Sequence, residues 1–283
     1  MVSFKYVILL VTCIAFSQNK TVKLPIDLNT IFVTIDTDSY VKLFENSFVK
    51  DTLFLCKNVS NKTDKEDYSG KYFIGNSATI EFFSPMNTTL IGDTFGDVGI
   101  EFKTQKLNQL QLFKNKTTKT DLTTVIYDSI KLPYYESLTL KKTIPNIEIS
   151  LLEYQKEYLS NLGFTADQIN TQMTFSQFNS IVSKGKKYPR KFNKIIALEL
   201  NLEKKEFSYL KEALTQFGAI LKNKTFKMNE ITIKCSIKRK EHFRVKKIKL
   251  SLLENVKTKE TIISEKIKIK TKDKEAEILF SYP

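Results

Sequence analysis

Residues 71–83 read KYFIGNSATIEFF, and this stretch decides the fold. Tyr68 to Ile74 and Ala78 to Phe83 are rich in β-branched and aromatic residues, and a Gly-Asn-Ser turn separates them. Runs of this kind around a short glycine-containing turn predict a β-hairpin. Glu81 is the one carboxylate of the second run and stands among apolar residues. A carboxylate in that setting faces a cavity, or it faces solvent and pairs with a lysine.

The segments before this hairpin complete a first module. Thr30 to Ile35 is β-prone, and Asp36 to Ser39 offers N-cap residues for a helix whose apolar residues recur up to Val49. Asp51 to Cys56 is β-prone again, whereas Asn58 to Asp67 is polar and predicts a loop. The predicted order of elements is therefore β-α-β-β-β.

The same order follows a second time. Val98 to Thr104 predicts a leading strand, and Leu107 to Phe113 predicts a short helix after it. Three further strands are predicted at Thr123 to Tyr127, Tyr135 to Leu140 and Ile147 to Leu152. Two tandem modules thus occupy residues 26–155.

The rest of the chain predicts a connector and a smaller domain. Residues 156–190 have helical periodicity and end in a basic Gly/Pro-containing linker at 184–190. Residues 191–283 begin with a strand at Ile195 to Leu200 and an amphipathic helix at Leu202 to Phe217. Runs that alternate with period two follow, which predicts a half-buried antiparallel sheet. The fold class is α+β.

The positive charge of the chain is concentrated in its last third. The net charge is +14 at pH 7, and residues 184–283 carry most of the excess of lysine and arginine. Either this is a solvated lysine-rich face, or it binds an anionic partner or surface. The predicted basic surface contains Lys247, Lys249, Lys266, Lys268 and Lys270. Nucleic acid is not expected as a partner, because aromatic residues for base stacking are not interleaved with these lysines.

Residues 1–17 have the pattern of a secretory signal peptide. Lys5 gives a positive start, Tyr6 to Phe16 is apolar but too short to span a bilayer, and small residues precede a cleavage site after Ser17. A secreted or periplasmic location follows, with no transmembrane segment after cleavage. A lipid anchor on Cys13 is the weaker alternative, because Thr12 fits that motif poorly.

Two cysteines remain in the mature chain, Cys56 and Cys235. In an oxidising compartment they could form one long-range disulfide. Because they fall in different predicted domains, two buried free thiols are the favoured interpretation.

The repeated β-α-β-β-β order, the leading strand LNTIFVTID and the pairs YFIGNSATIEFF and GDVGIEF resemble the glyoxalase-like, or vicinal oxygen chelate, superfamily. Within it, the chain resembles secreted bacterial members of unknown function. The resemblance covers residues 28–155 best, and the last third is similar in its order of elements but matches much more weakly. The resemblance implies a curved sheet that encloses a cavity. Thr30 and Gly99 stand at the two leading-strand places where the superfamily often has metal ligands, and neither is an ordinary ligand.

The acidic places of the superfamily are matched by Glu81 and Glu153. Without histidine, two carboxylates would favour a hard ion such as Mg²⁺, Ca²⁺ or Mn²⁺, and would bind it weakly. The single histidine, His242, lies far away in a basic segment. We therefore predict no cofactor, and a divalent metal is the lesser alternative. The structural interpretation of Glu153 is an acid early in a helix, favoured by the helix dipole.

These observations favour a non-catalytic role, in which the cavity binds a small ligand or the basic sheet binds an anionic partner. The predicted pocket contains Thr30, Glu81, Tyr134 and Tyr135. One alternative is a divalent-metal lyase, isomerase or dioxygenase that uses Glu81 and Glu153. Another is an interaction module whose cavity is filled by Phe and Tyr side chains. Nucleophile-elbow, Walker and dinucleotide-binding motifs do not occur in the sequence.

Overall fold

The computed structural model describes residues 25–65, 67–85, 92, 94–127, 129–185, 190–238 and 244–281. The predicted signal peptide, Cys13 and His242 lie outside these residues. Within the described ranges, no helix is both long and apolar enough to cross a bilayer.

The first module has the predicted order of elements. They are β1 (Ile26–Thr34), α1 (Thr37–Glu45), β2 (Leu55–Lys62), β3 (Asp67–Ile74) and β4 (Thr79–Phe83), with a π-helical turn at Phe48–Leu53. Asp36 caps α1, because its carboxylate accepts a hydrogen bond from the backbone N–H of Ser39 at 3.0 Å.

The second module repeats the order, with a short 3-10 turn at Leu110–Phe113 in place of the helix. Its strands are β5 (Val98–Thr104), β6 (Thr118–Tyr127), β7 (Ile130–Leu140) and β8 (Ile147–Tyr154). Three short helices follow, α2 (Lys156–Asn161), α3 (Ala166–Asn170) and α4 (Phe175–Val182).

The two modules form one eight-stranded sheet with the order β2-β3-β4-β1-β5-β8-β7-β6. In each module the leading strand pairs in parallel with the last strand, β1 with β4 and β5 with β8. The leading strands pair with each other in antiparallel orientation. Each half of the sheet therefore has the same strand order, which confirms the prediction of tandem β-α-β-β-β modules.

The last third builds the same module once more. Its elements are β9 (Phe192–Leu202), α5 (Lys204–Gln216), β10 (Ile220–Lys222), β11 (Thr225–Met228), β12 (Ile231–Ile237), β13 (Val245–Ile262) and β14 (Ile267–Phe280). They form a six-stranded sheet with the order β10-β11-β12-β9-β13-β14, in which β12 is parallel to β9. The strand β13 pairs with β9 in the way that β5 pairs with β1.

The two sheets share one cluster of buried residues. Aromatic side chains from the first two modules contact aromatic side chains of the last third. The ring centroids of Phe54 and Phe192 are 5.6 Å apart, and those of Phe102 and Phe217 are 6.3 Å apart. Arg244 adds a buried ionic contact, because its guanidinium donates to Glu206 at 2.9 Å and to Asp97 at 3.3 Å. The C-terminal sheet is thus packed against the sheet that carries the candidate site.

The prediction of a loop at Asn58 to Asp67 is wrong, because most of this segment belongs to β2 and β3. These strands pair in register from Leu55 and Ile74 to Lys62 and Asp67. Several polar residues of β2 face a cavity rather than the core, including Lys57 and Asn61. A strand that lines a wet cavity lacks the apolar alternation by which strands are recognised in sequence. The start of the predicted strand at Asp51 is a π-helical turn instead.

Candidate functional site

The site lies on one face of the eight-stranded sheet, where side chains from both modules meet. The register aligns one row across five strands: Tyr72 lies opposite Glu81, which lies opposite Phe32. Phe32 in turn lies opposite Gly99, and Gly99 lies opposite Glu148. Side chains at equivalent places of neighbouring strands point to the same face. All five residues border the same cavity.

A second row runs two residues along from the first. Thr79 lies opposite Thr30, Thr30 opposite Glu101, and Glu101 opposite Ser150. The hydroxyls of Thr30 and Thr79 are hydrogen-bonded at 2.7 Å. Glu81 from the first module and Glu101 from the second therefore lie on the strands on either side of β1.

The cavity above these rows has a volume of about 840 Å³. Ligand pockets in proteins commonly fall in the range of roughly 300–1,000 Å³. Tyrosines dominate its aromatic lining, namely Tyr68, Tyr72, Tyr134, Tyr135, Tyr154, Tyr158 and Tyr209. The Phe and Tyr side chains thus surround an open space and do not fill it.

Four of the aromatic rings form a continuous wall. The ring centroids of Tyr134 and Tyr158 are 4.4 Å apart, and those of Tyr154 and Tyr158 are 5.8 Å apart. Phe178 stacks on Tyr154 at 5.1 Å with nearly parallel planes. Burial raises the pKa of Tyr134 and Tyr154 well above the ordinary value, so both hydroxyls stay neutral at physiological pH.

Glu81 is almost completely buried at the floor of the cavity, with 1% of its surface exposed. Gly70 makes room for it, since a Cβ atom at that position would lie 2.2 Å from Oε1 of Glu81. Tyr72 hydrogen-bonds the carboxyl group, whereas Oε1 has no hydrogen-bond partner among the described residues. Burial raises the pKa of Glu81 well above its usual range, and the negative charge of Glu101 raises it further.

Glu101 is a second perturbed carboxyl group at the cavity wall. Its Oε1 accepts a hydrogen bond of 2.5 Å from Nδ2 of Asn29. Burial raises the pKa of Glu101 to about 8; the Asn29 contact opposes this change, and Glu148 adds to it. The sequence analysis missed Glu101. It stands two residues after Gly99 on a strand, so strand alternation alone could have placed it on the same face.

The predicted site residues divide between two places. Thr30, Glu81, Tyr134 and Tyr135 all border the cavity. Glu153 does not, because it points to the other face of β8. There its carboxylate accepts hydrogen bonds from the backbone N–H groups of Asn108, Gln109 and Leu110 at 2.8–3.0 Å. Glu153 thus holds the start of the 3-10 turn.

The structure therefore does not bring Glu81 and Glu153 together. In the row of Glu81, the places on β5 and β8 are taken by Gly99 and Glu148, and Glu101 and Ser150 lie in the neighbouring row. Across the residues that the structure describes, no group of three or more His, Cys, Asp or Glu side chains is arranged to hold a metal ion.

Each lysine of the predicted basic surface contacts a carboxylate. Lys247 contacts Glu199 at 3.0 Å, and Lys249 contacts Glu275 at 2.8 Å. The remaining pairs are Lys266 with Asp36 at 3.6 Å, Lys268 with Glu260 at 3.5 Å and Lys270 with Glu260 at 2.9 Å. Neighbouring acids thus compensate much of the charge of this surface.

Both cysteines of the described chain are free thiols, Cys56 half-buried and Cys235 buried. Burial raises the pKa of each thiol to about 12. Since the thiolate is the reactive form, neither cysteine is suited to nucleophilic chemistry near neutral pH.

Comparisons with known proteins give a family and distant structural likenesses. Residues 28–280 match a family of unknown function, DUF5829. No curated protein matches the chain. Among solved structures, a mutant of 4-hydroxymandelate synthase from Streptomyces coelicolor is similar, with a TM-score of 0.38 and 10% sequence identity. The likeness covers 75% of this chain and 62% of that one, so this chain spans less than two thirds of that protein.

Proposed function

We propose that this chain, which belongs to the family of unknown function DUF5829, binds a small organic molecule in its tyrosine-lined cavity. The observation that carries the proposal is the open volume of about 840 Å³ between the two modules of the sheet. A space of this size lined by rings and a few polar groups is the usual form of a ligand site.

Unsatisfied polar atoms in the cavity wall support the proposal. Oδ1 of Asn29 and Oε1 of Glu81 are buried and have no hydrogen-bond partner among the described residues. A buried polar atom without a partner costs the folded protein about 1–3 kcal/mol. A ligand that hydrogen-bonds to either atom would recover part of that cost, so the wall is better suited to an occupied cavity than to an empty one.

The proposal is for binding, because the arrangement does not supply the pair of carboxylates that the metal-enzyme alternative needs. Glu153 is turned away and is held by three backbone amides. The anionic-partner alternative is supported less well than the cavity, because each lysine concerned contacts a carboxylate. A secreted or periplasmic location, as residues 1–17 predict, remains part of the proposal.

The absence of tryptophan from the sequence allows a clean test. Phe178→Trp places a single fluorophore in the cavity wall, and Phe207→Trp places one on α5, away from the cavity. Both variants are titrated with three probes of similar size: benzyltrimethylammonium, benzyl alcohol and phenylacetate. We expect at least one probe to change the emission of the Phe178→Trp variant saturably, with no change in the Phe207→Trp control. Equal responses in the two variants, or none with any probe, would refute the proposed function.

A further inference from the structure

Four acids line the cavity, Glu81, Glu101, Asp121 and Glu148. Neither Glu81 nor Glu101 forms an ion pair with any lysine or arginine in the described part of the chain. The lysines that border the cavity are Lys57, Lys65 and Lys119. They come from β2, from the turn after it and from β6, and Lys65 is paired with Asp121 at 2.8 Å. The floor of the cavity thus contains carboxyl groups, whereas its rim contains both lysines and a carboxylate.

The unpartnered atoms lie beside these acids. Asn29 has 5% of its surface exposed, and its Nδ2 already donates to Glu101, which leaves Oδ1 free to accept. Oε1 of Glu81 is also buried and has no hydrogen-bond partner among the described residues. Asn29 and Glu81 border the same cavity, and each has one buried oxygen atom without a partner among the described residues. A ligand whose hydrogen-bond donors reached these oxygens would satisfy them.

The aromatic wall suits a positively charged group. The rings of Tyr134, Tyr154 and Tyr158 border the cavity. Tyr68 and Phe83 border it as well, and their ring centroids are 6.3 Å apart. The negative faces of aromatic rings attract an organic cation that lies within roughly 6 Å of the ring centre. Rings together with buried carboxylates are the combination by which proteins bind ammonium groups.

We propose that the ligand of this cavity carries an organic ammonium group, held by Glu101 and Glu81 between the tyrosine faces. This inference rests on the proposed function and specifies the chemical class of the ligand. Once Glu101 is ionised, the cation would supply its counter-ion, and donors beside the cation would reach Asn29 and Glu81.

The inference predicts that binding depends on pH. The pKa of Glu101 is about 8 in the unliganded protein, so below pH 8 the group must lose its proton before it pairs with a cation. The charged and titratable groups that act on it are Glu81 on β4, Glu148 and Tyr154 on β8, and Tyr68 and Tyr72 on β3. The tyrosines stay neutral over this range, since burial raises the pKa of each of them.

The test uses the Phe178→Trp variant and compares benzyltrimethylammonium, whose charge is permanent, with benzyl alcohol and phenylacetate. We expect the cation to bind more tightly than both at pH 8. Because Glu101, with a pKa of about 8, must lose its proton before it pairs with the cation, we also expect the cation to bind roughly fifty-fold more tightly at pH 8 than at pH 6. Adding Glu101→Gln should remove both the preference for the cation and the pH dependence, while benzyl alcohol binding shows that the cavity is intact.

The possible failures are distinguishable. If benzyl alcohol or phenylacetate binds and the cation binds no more tightly, the inference is refuted and the proposed function stands. Cation binding that is constant from pH 6 to pH 8, or that survives Glu101→Gln unchanged, also overturns the inference. If none of the three probes changes the emission of the tryptophan at position 178, the proposed function itself fails.

Discussion

Replacing Glu101 with glutamine should make the protein more stable, and only at high pH. In the folded protein this carboxyl group has a pKa of about 8, compared with an ordinary value of 4.5. Between these two values the unfolded chain has lost the proton and the folded protein keeps it. The folded state then binds more protons, so the stability of the wild type falls as pH rises from 4.5 to 8. Glutamine has the same shape and does not titrate.

The size of the effect follows from the same two values. Each pH unit between them costs the folded state about 1.4 kcal/mol, which sets a ceiling of about 5 kcal/mol at pH 8.5. Glu101 is half-buried at the wall of an open cavity, and water there reduces the penalty. We therefore expect Glu101→Gln to raise the free energy of unfolding by about 2 kcal/mol at pH 8.5 and by only a few tenths at pH 4.5. The oxygen of glutamine can still accept the hydrogen bond from Asn29.

The measurement is urea denaturation followed by circular dichroism at pH 4.5, 6.5 and 8.5. Glu212→Gln serves as the matched control, because Glu212 is exposed on α5 and should leave the pH profile of the wild type unchanged. A stability difference that is the same at all three pH values, or a Glu101→Gln variant that is less stable at pH 8.5, would show that this carboxyl group is ionised in the folded protein. The pH-dependent part of the cation inference would then fail with it.

Two further predictions concern Arg244 and Glu153, whose ionic contacts and hydrogen bonds lie outside the cavity. Arg244→Met should destabilise the protein by about 3–5 kcal/mol, because it leaves the buried carboxylates of Glu206 and Asp97 without their cation. Arg244→Lys should recover only part of the lost free energy of unfolding in urea denaturation, since one ammonium cannot reproduce the several donors of the guanidinium. Full recovery would contradict the buried contacts of Arg244 with Glu206 and Asp97. Glu153→Gln should cost about 1–3 kcal/mol, because an amide cannot accept all the backbone N–H bonds that the carboxylate accepts. Probe binding by this variant should be unchanged, and lost binding would place Glu153 in the site after all.

Local patterns in the sequence were sufficient for the order of elements. The hairpin at residues 71–83 is formed by β3 and β4, and the leading strand at Val98–Thr104 has the predicted bounds. β4 and β5 are largely buried, and all three strands are rich in β-branched or aromatic residues, so their composition indicates strand structure directly. The helix at Leu202 to Phe217 was predictable because one face of α5 is buried.

The candidate site was only partly predictable. Glu81, Thr30, Tyr134 and Tyr135 border the cavity, and so do Glu101 and Asn29, which the sequence analysis did not name. Glu153 was chosen because it lies near the end of the right strand. A shift of one residue along a strand moves a side chain to the opposite face, so a position that is nearly right in sequence is on the wrong side of the sheet.

The sequence by itself determined the strand and helix order, the repetition of the module, and the isolation of Glu81 among apolar residues, because each of these depends on neighbours along the chain. Tertiary structure alone decided which acids share a space. Glu81 and Glu101 come close because β1 pairs in parallel with β4 and in antiparallel orientation with β5. It also decided that the lysines of the C-terminal sheet are paired with acids, since cross-strand neighbours such as Lys249 and Glu275 meet only through the register of β13 and β14. Charge and burial at the cavity depend on those pairings, and no local pattern in the sequence specifies them.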